Sequence, residues 1–181
     1  MKQHGPWKIK ASEVKYQDPW ISVRADQVIQ PDGKDSTFAV VALAQGASVL
    51  AVDDDGFVYL TEEFRYAIGQ QSFEVVSGAI DEGETPLHAA KRELKEEAGI
   101  EAKEWIELGR VDPATSSIFA PSWQFIARKL SFGSPKPDGA ELIKIHKVTL
   151  EEAVEWVMDA KITHAQSCTL ILKAARYLGK R

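Results

Sequence analysis

Apolar and polar residues alternate in short runs along the first third of the chain. "WISVRADQVI" is followed by the turn "PDGK", then "TFAVVALA", "ASVLAVD", the tight turn "DDDG" and "FVYLTEEF". Period-two alternation bounded by Asp, Gly and Pro marks half-buried strands joined by turns, so a β meander with hairpins is expected here. "SFEVVS" reads as a further short strand, and "WIELGRV" and "WQFIARKL" as two more. The spacing becomes helical near the end. "TLEEAVEWVMDAKI" opens with Thr149 and Glu152 in capping-box spacing, and "THAQSCTLILKAARYL" opens likewise with Thr163 and Gln166.

Another helix is predicted between the strands, inside "GAIDEGETPLHAAKRELKEEAGI", residues 78–100. Thr85 suits the N-cap, Pro86 the first helical position and Gly99 a left-handed exit, which bounds the helix at about 86–98. At roughly 100° per residue, Leu87, Ala90, Leu94 and Ala98 share one side and His88, Lys91 and Lys95 a second. Glu93, Glu96 and Glu97 share a third. The ordinary reading of such charges is a solvated face, but Glu93 and Glu97 are a like-charged pair four residues apart, which costs a few tenths of a kcal/mol. Glu93 has no lysine at its favourable forward positions, so a divalent cation would relieve the repulsion. With Glu84 arriving from the preceding loop, the set offers the hard oxygens that Mg2+ or Mn2+ prefers, and such ions leave room for water and substrate phosphates. Arg92, beside this face, is expected to hold Glu84 or Glu96 in place through a bidentate pair.

Composition narrows the fold and the partners. The 181 residues are 44% hydrophobic, enough for a core, and no repeat or linker divides them, so a single domain over 1–181 is expected. Mixed strands with interspersed helices, lacking regular βαβ alternation, point to an α+β chain or an α/β/α sandwich. There is no P-loop and no G-x-G-x-x-G. A net charge of −5 argues against nucleic-acid and membrane-surface partners, so an anionic substrate needs a local source of positive charge. Cys168 stands alone, which excludes an internal disulfide and fits a reducing compartment. No signal peptide is recognisable and no apolar run approaches the ~20 residues that span a bilayer, so a soluble, cytoplasmic protein is expected. His4, His88, His146 and His164 are scattered without metal-ligand spacing.

Residues 78–100 resemble the Nudix box, G-x5-E-x7-R-E-U-x-E-E-x-G-U with U aliphatic. Gly78, Glu84, Arg92, Glu93, Leu94, Glu96, Glu97, Gly99 and Ile100 fill every specified position. The resemblance implies a Nudix-type α/β/α sandwich and divalent-metal-dependent cleavage of a nucleoside diphosphate linked to another moiety. It also implies that Glu93, Glu96 and Glu97 carry the metal, with the Ser77 carbonyl as a further ligand.

"EEFRYAIGQ" and "FEVVSGAIDEGE" are similar to the corresponding region of ADP-ribose and ADP-sugar diphosphatases, which implies substrate-binding roles for Arg65 and Glu74. The same likeness implies a catalytic glutamate on a late loop, where "SPKPDGAELIKIHKV" offers Glu141. The general base then lies between Glu141 and a box carboxylate such as Glu96. After the box the chain reads "VDPATSSIFAPSWQF", without the proline-glycine loop common in ADP-ribose hydrolases. That departure bears on the terminal sugar: the resemblance implies ADP-ribose as the first substrate expected, with ADP-glucose or another nucleotide sugar next. An oxidised-nucleotide triphosphate hydrolase and a non-catalytic ADP-ribose sensor are the other readings. In the resembling enzymes an added N-terminal β-strand region helps form a homodimer, which here would be residues 1–41 before a catalytic sandwich over 42–181.

Overall fold

A computed structural model of the chain describes residues 1–136, 139 and 142–179. The chain begins with β1 (Lys2–His4), β2 (Trp7–Gln17), β3 (Ile21–Ile29) and β4 (Asp35–Leu43). It continues with β5 (Gly46–Val52), β6 (Phe57–Arg65), β7 (Gln70–Glu74), β8 (Val76–Ala79) and α1 (Pro86–Ala98). The remainder is β9 (Ile100–Val111), β10 (Ile118–Phe119), β11 (Ser122–Phe132), β12 (Lys144–Thr149), α2 (Leu150–Met158) and α3 (Ala165–Leu178). No helix among the described residues is long and apolar enough to cross a membrane.

These elements form two compact units. The first comprises Met1–Gln45 with Asp112–Pro121, and its sheet has the order β1-β2-β3-β4-β10. Neighbours are antiparallel except β10, which runs parallel to β4. The β3–β4 hairpin turns at "PDGK", where Gly33 takes φ 88° and the Gln30 N–H donates to Lys34 O at 2.8 Å. Asp26 is buried in this sheet and receives the Arg24 Nε–H at 3.1 Å. Trp7 and Phe38 meet edge to face beside a hollow of about 800 Å³.

The second unit comprises Gly46–Val111 and Ser122–Arg181. Its sheet runs β12-β6-β5-β11-β9, with β7 added to β6 and β8 to β5. The β5–β11 pair is parallel and the other pairs are antiparallel. Alternate residues of β5 serve two cores. Leu50 and Val52 pack with Val58, Leu60, Ile126, Leu170 and Ile171. Ala47, Val49 and Ala51 pack with Phe125 and with Ala89, Ala90 and Leu94 of α1. A sheet covered by α1 on one face and by α2 and α3 on the other is an α/β/α sandwich, which explains the unbroken apolar run "ASVLAVD".

The expected meander is corrected at one point: β4 pairs with β3 and β10, whereas β5 pairs with β6, β8 and β11, so the two belong to different sheets. "SFEVVS" is split between β7 and β8 at Val75, whose N–H donates to Ser167 Oγ at 3.0 Å. Thr149 caps α2 as expected, accepting from the Glu152 N–H at 3.0 Å. The capping box expected of Thr163 and Gln166 does not form, because α3 begins one residue later with His164 at the N-cap.

Candidate active site

Local signals place α1. Thr85 accepts from the His88 N–H at 3.3 Å, Pro86 opens the helix, and Gly99 closes it in the left-handed region at φ 65°. The helix buries Ala89, Ala90 and Leu94, and Glu93 and Glu96 flank Ala89 at the edge of that buried side.

Arg92 is the centre of the charged cluster. Its Nε and Nη2 donate to the two oxygens of Glu84 at 3.3 and 3.1 Å, the bidentate pair expected from sequence. Nη1 donates to Glu93 at 2.6 Å and to Glu96 at 3.2 Å, and Nη2 also donates to the Ala79 carbonyl at 2.9 Å. Arg92 thus ties the loop, the helix and β8 together. These partners, Glu84 first, push the guanidinium pKa further up against the effect of burial, and the Arg92 hydrogen bonds hold the Glu84 carboxyl below the ordinary range. Arg92 therefore offsets repulsion among Glu84, Glu93 and Glu96, in the orienting role expected of it beside a divalent cation.

Gly78 lies against this cluster. A Cβ there would collide with the carboxylate of Glu93, so only glycine leaves the space that Glu93 fills. Ser77 precedes it in β8 and pairs in register with Ser48 of β5. The carboxylates of Glu84, Glu93 and Glu96 beside the bare Gly78 backbone are hard oxygen donors of the kind a divalent cation takes. Among the described residues, no three His, Cys, Asp or Glu side chains are drawn together as a ready ligand group, because Glu84, Glu93 and Glu96 spread around Arg92.

Arg65 and Glu74 form a second constellation. Arg65 Nε and Nη2 donate to the two oxygens of Glu74 at 3.0 and 2.8 Å, and Nη1 lies 2.7 Å from Glu63. The negative charge of Glu97 is felt at Arg65, which links the pair electrostatically to the glutamate helix. Glu74 is only 4% exposed, and burial favours its neutral form. The Arg65 fork, with further help from His164 and Ser72, outweighs burial and keeps the carboxyl below the ordinary range. Sequence likeness marks both residues as substrate ligands but carries no sign that they bind each other. Asp81, 3.7 Å from Arg92, and the contact of His164 with Glu74 at 3.2 Å are not marked in the sequence. Glu141 lies outside the described residues.

Residues 42–167 match the NUDIX domain, and residues 7–41 match the nucleoside diphosphate sugar hydrolase N-terminal domain. An ADP-ribose pyrophosphatase of Bacillus subtilis (strain 168) is 30% identical over 168 residues, covering 91% of this chain and 90% of the relative. A methanol dehydrogenase activator of Bacillus methanolicus is 27% identical over 150 residues, 78% of each chain. The crystal structure of an ADP compounds hydrolase superposes with a TM-score of 0.85 at 20% identity, covering 99% of this chain and 98% of that one, a likeness of fold. With the box residues gathered around Arg92 and the domain match spanning most of the chain, this protein belongs to the Nudix hydrolase family.

Proposed function

We propose that this Nudix hydrolase cleaves the diphosphate bridge of a nucleotide sugar, ADP-ribose first, giving AMP and ribose 5-phosphate. The observation that carries the reading is the carboxylate cluster of Glu84, Glu93 and Glu96 on Arg92, built against the bare backbone of Gly78. The named activity of the Bacillus subtilis relative supports ADP-ribose as the substrate.

Glu93, Glu96 and Glu97, with the Ser77 carbonyl, would hold Mg2+ or Mn2+. Such an ion, when bound, supplies positive charge that draws electron density from the phosphates. Arg92 keeps Glu84, Glu93 and Glu96 at fixed positions. Arg65 binds a substrate phosphate, with Glu74 orienting its guanidinium. A carboxylate, Glu141 or Glu96, takes the proton from the water that attacks phosphorus as the bridging P–O bond breaks. The first unit exposes Val14, Tyr16, Trp20 and Phe119, which supports a homodimer formed through that unit. The lone Cys168 fits work in the cytoplasm.

Incubation with Mg2+ and a panel of ADP-ribose, ADP-glucose, GDP-mannose, NADH and 8-oxo-dGTP, with products resolved by ion exchange, tests this reading. AMP released from ADP-ribose and abolished by EDTA is expected. Cleavage of 8-oxo-dGTP alone would overturn the substrate, and no cleavage of any compound would overturn the enzymatic reading for this class.

A further inference from the structure

The first turn of α3 grips the strands that carry the Arg65–Glu74 pair. His164 Nδ1 lies 3.2 Å from Glu74 Oε2 and 2.9 Å from Ser167 Oγ. Ser167 is fully buried, and its hydroxyl oxygen accepts the N–H of Val75, the residue after Glu74. One helical turn therefore holds both the backbone beside Glu74 and its carboxylate.

His164 Nδ1 meets Ser167 Oγ in hydrogen-bond geometry, with the donor set by the ring tautomer, and an Nδ1–H is the form that the Glu74 carboxylate 3.2 Å away attracts. Burial, with the charge of Arg65 acting in the same sense, outweighs the opposing pull of the Glu74 carboxylate, holds the His164 pKa below its ordinary value and favours the neutral ring. Glu74 Oε2 thus meets His164 on one side and Arg65 Nη2 on the other, while Oε1 takes Arg65 Nε. Each nitrogen of the guanidinium is engaged by Glu74 or Glu63, so the plane of Arg65 is set by where those carboxylates stand.

We propose that His164 and Ser167 are positioning residues for substrate binding: they fix Glu74 from the helix side and thereby set the plane in which Arg65 meets the diphosphate. This rests on the reading of Arg65 as a phosphate contact. A helix cap alone would contribute stability and nothing to substrate affinity.

The test compares His164→Ala, His164→Asn and Ser167→Ala by ADP-ribose kinetics at saturating Mg2+, thermal melting and the NMR signal of the Arg65 Nε–H. The two alanine variants are expected to raise KM about fivefold, the scale of one weakened charge-assisted hydrogen bond, while kcat falls less than about twofold. His164→Asn places an amide N–H at the position of Nδ1 and is expected to restore KM and the Arg65 signal. A folded His164→Ala protein with unchanged KM and unchanged Arg65 signal would overturn the proposal. So would a KM defect that His164→Asn leaves unrepaired while it repairs melting. Should the wild type leave ADP-ribose uncleaved, the functional reading fails separately, and the Arg65 signal alone decides whether the clasp exists.

Discussion

Gly78 and Glu93 stand so close that the carboxylate of Glu93 occupies the space a Cβ on Gly78 would need. The obstructed group is the far end of a flexible side chain, so a methyl group there would be accommodated by moving Glu93. Function should therefore suffer more than stability. Gly78→Ala is expected to lower kcat/KM about a hundredfold, the scale of a misplacement of roughly 1 Å, with a melting temperature within a few degrees of wild type. A folded Gly78→Ala enzyme with wild-type kcat/KM would show that the placement of Glu93 against β8 is dispensable.

Arg92 should resist its conservative replacement. A lysine keeps the charge but cannot span Glu84, Glu93, Glu96 and the Ala79 carbonyl, which together engage all three guanidinium nitrogens. Arg92→Lys is expected to fold and to lose on the order of tenfold to a hundredfold in kcat. Arg92→Ala leaves three carboxylates facing one another and should also destabilise the protein, by about 1–3 kcal/mol in urea titration. Equal activity in the wild type and Arg92→Lys would reduce Arg92 to a plain counter-charge.

Helix α1 was legible because its boundaries are local: Thr85, Pro86 and Gly99 act within a turn of their own positions. Its three faces follow from the same periodicity, and Arg92 could be assigned to Glu84 or Glu96 because all lie near one face. The parting of β4 from β5 was not legible, since alternation reports which side of a strand is buried and not which strand lies beside it. The Arg65–Glu74 fork needs the register of β6 on β7, which sets Arg65 opposite Gln70 and Thr61 opposite Glu74. The bond from Val75 to Ser167 closes over 92 residues, beyond any local signal. At α3 the threonine rule chose Thr163, whereas His164 takes the cap position and sets its ring against Ser167 and Glu74.

Metal affinity and turnover should separate the glutamates. Glu93→Gln, Glu96→Gln and Glu97→Gln each remove a charge from the proposed ligand set, and each is expected to weaken Mn2+ binding at least about tenfold in calorimetric or EPR titration. Glu141→Gln should leave Mn2+ affinity unchanged and, if Glu141 is the base, lower kcat by about 10²–10⁴. Unchanged turnover in Glu141→Gln would pass the role to Glu96.

Acid should weaken the fold in two windows. His164 has a folded pKa below its ordinary 6.5, so the unfolded chain binds more protons just below that pH and stability falls as the pH drops through it. Glu74 and Glu84 have folded pKa values below their ordinary 4.5, so their contribution is complete above that pH and is lost as the pH falls through the depressed values. Both effects have the same sign, and the second window belongs in part to the Arg65–Glu74 fork. Glu74→Gln cannot titrate there, and it leaves Arg65 without its buried partner. It should cost about 2–4 kcal/mol at neutral pH and flatten the acid limb below about pH 4.5, measured as urea midpoints from about pH 3.5 to 7.5. An acid limb as steep in Glu74→Gln as in the wild type would move the origin of that limb to Glu84 or to other carboxylates.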